Sequence, residues 1–254
     1  MKSPLGLDAD LPVMDIVQES LGLLWVKRGI VSARFLPVML LLAGLDWVSS
    51  TWMSESHLFG QLGFMLVSML LGVVFATACH RMTLMPEKSL VQKGIWRQEE
   101  WRYLMRLMLM GLATSVVITP IVILFALLQV QQMMVLGGAL AIMTGLYVSA
   151  RLAITLPEIA VGQTTSFQRA WKLSKGNGSR LVMVVWIAPL LISGPFLLLF
   201  LLDNTLLNYL AAFGSYVTSL ISLVMMSLSY RFLTSFESGN DHPVVSSSSD
   251  GFDA

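Results

Sequence analysis

Charge is what this chain lacks most. Only 12% of its 254 residues are charged, about half the share of a typical soluble domain, while 56% are hydrophobic. A water-soluble fold of this length could not hide that much apolar surface, whereas a bilayer-spanning one does not have to. Cysteine is nearly absent. Cys79 stands alone, which excludes an internal disulfide and reads as a small apolar filler near a helix end. Histidine is scarce too: His57, His80 and His242 are the three in the chain. The net charge of +1 gives no global basic bias of the kind that marks nucleic-acid binding. The motifs HExxH and GxSxG and a Gly-rich phosphate loop are missing; GNGS at 176–179 reads better as a helix stop. No lipidation motif is visible. The N-terminal stretch carries Asp8, Asp10 and Asp15 where a signal peptide would have its apolar core, so the first span is expected to act as its own insertion signal.

What the chain has in abundance is long apolar runs. A bilayer core of about 30 Å needs about 20 apolar residues per helix. Six segments meet that test, at about 35–53, 58–80, 103–129, 133–156, 181–202 and 205–230. Period-2 alternation is lacking, which argues against strands. The predicted fold class is therefore all-α: a polytopic membrane protein forming a single transmembrane domain over 1–237. The Ser-rich, polar stretch 238–254 reads as a disordered tail.

The sixteen lysines and arginines are placed unevenly. They gather before span 1, around the connections of spans 2 to 3 and 4 to 5, and at the end of span 6. The loops SSTWMSESH, QVQQM and DN hold none. By the positive-inside rule both termini are expected on the cytoplasmic side. Tryptophans agree: Trp47 and Trp52 fall at one interface, Trp25, Trp96, Trp101 and Trp171 at the other. Trp186, inside span 5, reads as a packing residue.

A weak repeat runs through this layout. The even-numbered spans end in HRMTLMPE (80–87), RLAITLPE (151–158) and YRFLTSFE (230–237). The odd-numbered spans are preceded by stems in which Trp25, Trp96 and Trp171 lead to Arg34, Arg106 and Arg180, nine or ten residues on. The expectation is three hairpins, at about 12–87, 88–158 and 159–237, each with an amphipathic cytoplasmic stem helix. In the first stem Val17, Leu21, Leu24, Val31 and Phe35 recur at helical spacing between Glu19, Lys27 and Arg28, as in a helix lying in the interface plane. In the third, Thr165 to Gln168 fits a capping box and Asn177-Gly178 a helix stop. Phe167, Ala170, Trp171 and Leu173 are expected to face lipid; Arg169, Lys172 and Lys175 are expected to face headgroups.

CHRMTLMPE, ARLAITLPEIAVG and SFQRAWKLSKGNGSRL together resemble a group of uncharacterised bacterial six-helix membrane proteins. They are also similar to the membrane domain of some glycerophosphoryl diester phosphodiesterases and to the inner-membrane YciC-type family. The resemblance spans roughly residues 12–235. It implies an inner-membrane location and an envelope role, and it brings no catalytic residues. The soluble phosphodiesterase domain has no counterpart here.

Residue by residue, the chemistry on offer is thin. His57 and His80 are expected at opposite faces of the membrane, about 30 Å apart, so they cannot share a site. No metal or cofactor set is legible. Ionisable residues within spans are functional suspects. Asp46, in the outer half of span 1, could hold a cation or proton or simply sit at the interface. Arg81, Arg151 and Arg231 stand at helix ends, where long side chains reach headgroups and complement the helix dipole. With Arg169, Lys172 and Lys175 they are the candidate lipid-headgroup contacts. Pro120 and Pro195 sit at similar depths in spans 3 and 5 and are read as breaking those helices, with Gly214, Ser215, Thr218, Ser219 and Ser222 along span 6.

Two readings follow. The first is a non-enzymatic, envelope- or membrane-organising protein of the inner membrane, whose basic stems contact anionic lipid or a protein partner, a second copy included. The second is a transporter or channel for a small or lipidic solute, using the Pro-broken spans 3 and 5.

Overall fold

The computed structural model describes residues 10–52, 58–86, 96–128, 131–202 and 204–236. Among these there are helices and no strands. In chain order they are α1 (Val13–Val26), α2 (Arg28–Ile30), α3 (Leu36–Trp52), α4 (Leu58–Leu84), α5 (Gln98–Leu127), α6 (Gln131–Ala153), α7 (Thr155–Ala160), α8 (Phe167–Leu173), α9 (Gly178–Val182), α10 (Ala188–Leu199) and α11 (Thr205–Ser235). Six stretches are long and apolar enough to cross a membrane: Arg28–Ser49, Phe59–Leu84, Gln98–Leu127, Gln132–Ala160, Gly178–Leu202 and Thr205–Ser235. They extend each sequence-read span mostly at the end where the basic residues gather, called the basic end below. The other is the turn end. His57, His242, Glu87, Glu237 and the tail 238–254 lie outside the described residues.

The helix starts and stops have local causes. Asn204 Oδ1 accepts the backbone N–H of Leu206 and of Leu207, which caps α11. Ser166 Oγ accepts the N–H of Arg169 and caps α8, one residue later than the Thr165 start read from the sequence. Gly162 and Gly176 hold φ near +83° and +85°, a region that other residues seldom adopt, and end the helices before them. The stop is thus Gly176, while Asn177 stands at the start of α9 and its Oδ1 accepts the N–H of Leu11 at 2.8 Å.

The bundle is organised around α11, which packs against α1, α3, α4 and α10. Half of the most apolar window of span 6 is buried, and none of that of span 3 is. α5 therefore lies at the margin, joined mainly to α6. Gly137 and Gly145 allow that close approach, because a Cβ at either would strike Phe125 or Ile118 of α5. The core under α11 combines Met39, Phe75, Cys79, Ile154, Val184, Val224 and Met225.

Three expectations change. First, prolines do not break spans 3 and 5. α5 runs through Pro120 and α10 through Pro195, both on exposed faces. A proline in a long transmembrane helix is tolerated where neighbouring groups re-satisfy the freed carbonyl. The irregular turns are instead π-helical, at Val31–Phe35 and Met183–Ile187, in spans 1 and 5.

Second, RLAITLPE does not leave the protein interior. Arg151 to Ala160 is buried at every residue. The chain bends at Ile154 and continues as α7, because Pro157 falls in its first turn, where a missing N–H costs nothing. Third, the apolar side of the third stem is only partly free to face lipid: Trp171 is exposed and Phe167 half-buried, but Ala170 and Leu173 are not. Ala170 is 1% and Leu173 2% exposed, docked on the protein, and α8 packs against α6. The 3.6-residue period marks an apolar face and is blind to whether lipid or protein covers it.

Candidate functional site

Two places in the fold gather polar side chains, one at each end. At the basic end the sequence offered cations as headgroup ligands, and the structure consumes several internally. The Nη1 of Arg81 meets Glu100 Oε1 at 2.5 Å, and its Nε donates to the carbonyl of Ala160, the last residue of α7. Glu100 is 2% exposed and also accepts the N–H of Arg97 at the start of α5. Arg151 is 7% exposed, with no carboxylate in salt-bridge reach among the described residues. Its guanidinium carbon lies 3.6 Å from the Trp171 ring centroid, its Nε donates to Ser174 Oγ at 2.8 Å, and an Nη donates to the carbonyl of Trp171. The cation sits near the C-terminal ends of both α6 and α8, whose unpaired carbonyls carry partial negative charge. Lys27 does the same for α4, donating from Nζ to the carbonyl of Met82 at 2.7 Å.

The remaining candidates divide. Arg231 pairs with Glu19 of α1, both about half exposed. Arg169 pairs at 2.8 Å with Glu158, which is 3% exposed. Lys172 and Lys175 are exposed. Arg81, Arg151 and Arg231 thus bind separate partners and share none. Their pattern is cyclic: Arg81 reaches the second stem, Arg151 the third, and Arg231 returns to the first.

Beside this layer lies a sealed network that the sequence did not disclose. His80 Nδ1 is 2.7 Å from Ser227 Oγ, and His80 Nε2 is 3.2 Å from Tyr103 Oη. Ser227 donates its proton to the carbonyl of Leu223 at 2.9 Å. That assignment leaves Nδ1–H donating to Ser227 and Tyr103 donating to Nε2. His80 and Ser227 are both 0% exposed, so this Ser–His pair has no access for a substrate. No group of three or more His, Cys, Asp or Glu that could hold a metal occurs among the described residues.

The second place is a half-open cavity that runs from the turn end past mid-span, between spans 1, 2, 5 and 6. One compartment of about 540 Å³ is lined by Leu42, Phe75, Leu190, Leu197 and Leu223 together with Ser193, Thr218 and Ser222. A second, of about 460 Å³, is lined by Asp46, Trp47, Phe200, Asn208 and Ala212. Ser215, Tyr216 and Ser219 line both. Each volume falls within the range of small-molecule sites. The π-turn at Met183–Ile187 delivers Val185 and Trp186 to the wall; Trp186 Nε1 donates to Ser149 Oγ at 3.1 Å. Gly214 lets α11 approach α10, since a Cβ there would strike the Phe196 ring.

The hydroxyl stripe read along span 6 is therefore on a cavity wall, and Asp46 is on it too. Pro120 and Pro195 are not. Tyr216 was not singled out by sequence, although it sits 170 residues from Asp46 and donates to Asp46 Oδ2 at 2.5 Å. Glu100 and Glu158 were missed as buried ion-pair partners, and no local pattern marked them.

These features define a class: an all-helical protein with six helices long and apolar enough to span a membrane. No family model, curated protein or solved structure matches the chain.

Proposed function

We propose that the protein is a multi-pass inner-membrane protein that receives the apolar part of a lipidic solute in the cavity between spans 1, 2, 5 and 6, as a non-enzymatic binding or transport component. The observation that carries this reading is the cavity itself: an apolar space of ligand size with a serine and threonine stripe on one wall. Membrane helices normally close such gaps with small residues and tight packing. Six spans in three hairpins, with both termini cytoplasmic, complete the picture. A reporter inserted at Ser54 should then read outside and one at the C-terminus inside.

The test uses reconstituted protein in vesicles containing a phospholipid with a photoreactive acyl chain. Crosslinks should map to Phe75, Leu190 and Leu223 and fall several-fold in Ser219→Trp, which fills the space. Crosslinking confined to lipid-facing positions of α5, unaffected by the substitution, would end this reading.

A second reading is favoured by one observation, the exposure of Lys172 and Lys175 beside Trp171. Cations next to a span attract anionic lipid. This keeps a membrane-organising role for the third stem, without the arginines that the fold has already paired.

A further inference from the structure

The hydrogen-bonded hydroxyls that line the cavity are one-sided. Every hydroxyl there with a visible bond gives its proton away from the space. Ser215 donates to the carbonyl of Ala211, Thr218 to Gly214, Ser219 to Ser215 and Ser193 to Leu190, at 2.9–3.1 Å. Tyr216 gives its proton to Asp46. What these groups leave facing the cavity is lone pairs. Asn208 Oδ1 is buried there without a partner. Asp46 adds a carboxylate, and the rings of Trp47, Phe200 and Tyr216 add π-faces, which carry negative potential. Among the described residues, no lysine, arginine or histidine lines either compartment.

Such a lining suits one kind of guest. An anionic head would meet a carboxylate and a row of acceptors. A neutral hydroxyl would satisfy one acceptor. A cationic N–H donor would satisfy several and be attracted by the carboxylate and rings together. The two compartments also differ along their length. Asp46 is exposed at the turn-end mouth, whereas the described lining of the inner compartment carries no charge and sets Leu42, Phe75, Leu190, Leu197 and Leu223 opposite its hydroxyls. An amphiphile would therefore lie with its head at Asp46 and its chain along Leu197, Leu190 and Phe75.

We propose that Asp46, with Tyr216 and Asn208, is a head-group site selecting amphiphiles that carry a primary amine or another cation. The proposal rests on the cavity reading above and adds the charge of the guest.

Three fluorescent probes of equal chain length test it, a dansyl-labelled alkylamine, alkyl alcohol and fatty acid, titrated into the full chain in phosphatidylcholine nanodiscs. The expected order is amine, then alcohol, then acid, with the amine about tenfold tighter than the alcohol, as one charge-assisted contact would give. Asp46→Asn should bring amine and alcohol together and leave the alcohol unchanged. Tyr216→Phe keeps the carboxylate and should keep the order. Equal affinities in the unmutated protein, or a tighter acid, would overturn the head-group assignment while leaving the cavity reading intact, and that comparison needs no variant to fold. If no probe binds and Ser219→Trp changes nothing, the cavity reading itself fails.

Discussion

The two ends of the bundle handle charge in opposite ways. At the basic end, Arg81, Arg151, Glu100 and Glu158 are at most 14% exposed, and each bonds to protein. At the turn end, Asp46 is exposed on a cavity wall, and its bond is to a tyrosine hydroxyl. The difference is one of local dielectric. A buried charge left without partners is costly, so these basic-end charges are held by protein groups, although Arg81 Nη2 is buried without a hydrogen-bond partner. A charge at an open mouth is not enclosed by protein, so it can remain available to a guest. The first region is built for structural rigidity, and the proposed recognition belongs to the second.

The contrast is sharpest where a carboxylate is neutralised at each end. Glu100→Gln would leave Arg81 buried against a neutral amide, and the expected loss is about 3–5 kcal/mol. Thermal unfolding in micelles, followed by tryptophan fluorescence, reads it. Replacing both partners, Arg81→Met with Glu100→Leu, should recover most of the loss. Native-like stability in Glu100→Gln alone would erase the distinction between the two ends.

Trp171→Leu probes the unusual case of Arg151, a buried cation held without a carboxylate. Loss of the desolvated ring contact should cost about 2 kcal/mol in the same melt. A change below measurement would mean that the carbonyl and Ser174 contacts suffice on their own.

Asp46→Asn, the counterpart of Glu100→Gln, should move stability by less than about 1 kcal/mol, because the group is exposed and the tyrosine retains an acceptor. A loss as large as that at Glu100 would recast Asp46 as a structural residue. The smallest effect belongs to Lys172→Gln with Lys175→Gln. Stability should stay within about 0.5 kcal/mol. Copurified anionic lipid, measured by mass spectrometry, should drop if the third stem contacts headgroups, at about 1 kcal/mol per lysine near the surface. Unchanged lipid content would leave the stem as a packing element alone.

The legible part of this architecture was what composition and period can express. Six apolar stretches appeared at the right places, with ends that differ by up to about seven residues. The hydroxyl stripe on span 6 was visible, as was Asp46 as an isolated acid. The basic clusters were visible too, but their meaning was ambiguous. An arginine at a helix end reads the same whether it reaches a headgroup or caps a neighbour's C-terminus, since both satisfy a cation near an interface. Lys27, Arg81 and Arg151 took the second course. Likewise Pro157 and Glu158 looked like an exit because Pro-Glu commonly follows a helix. Pro157 falls instead in the first turn of α7, and Glu158 meets Arg169 across an 11-residue separation that no local pattern signals.

The sequence by itself determined the class: 56% hydrophobic residues in six helix-length runs admit little except a helical membrane protein, because backbone in lipid must bond within its own segment. Tertiary structure alone decided which charges are spent and which are offered. Asp46 meets Tyr216, Arg231 meets Glu19 and Arg180 meets Asp10 across 170, 212 and 170 residues. Pairings of that range are set by how helices pack, and in lipid that packing follows shape and small-residue contact more than the hydrophobic pattern a sequence displays.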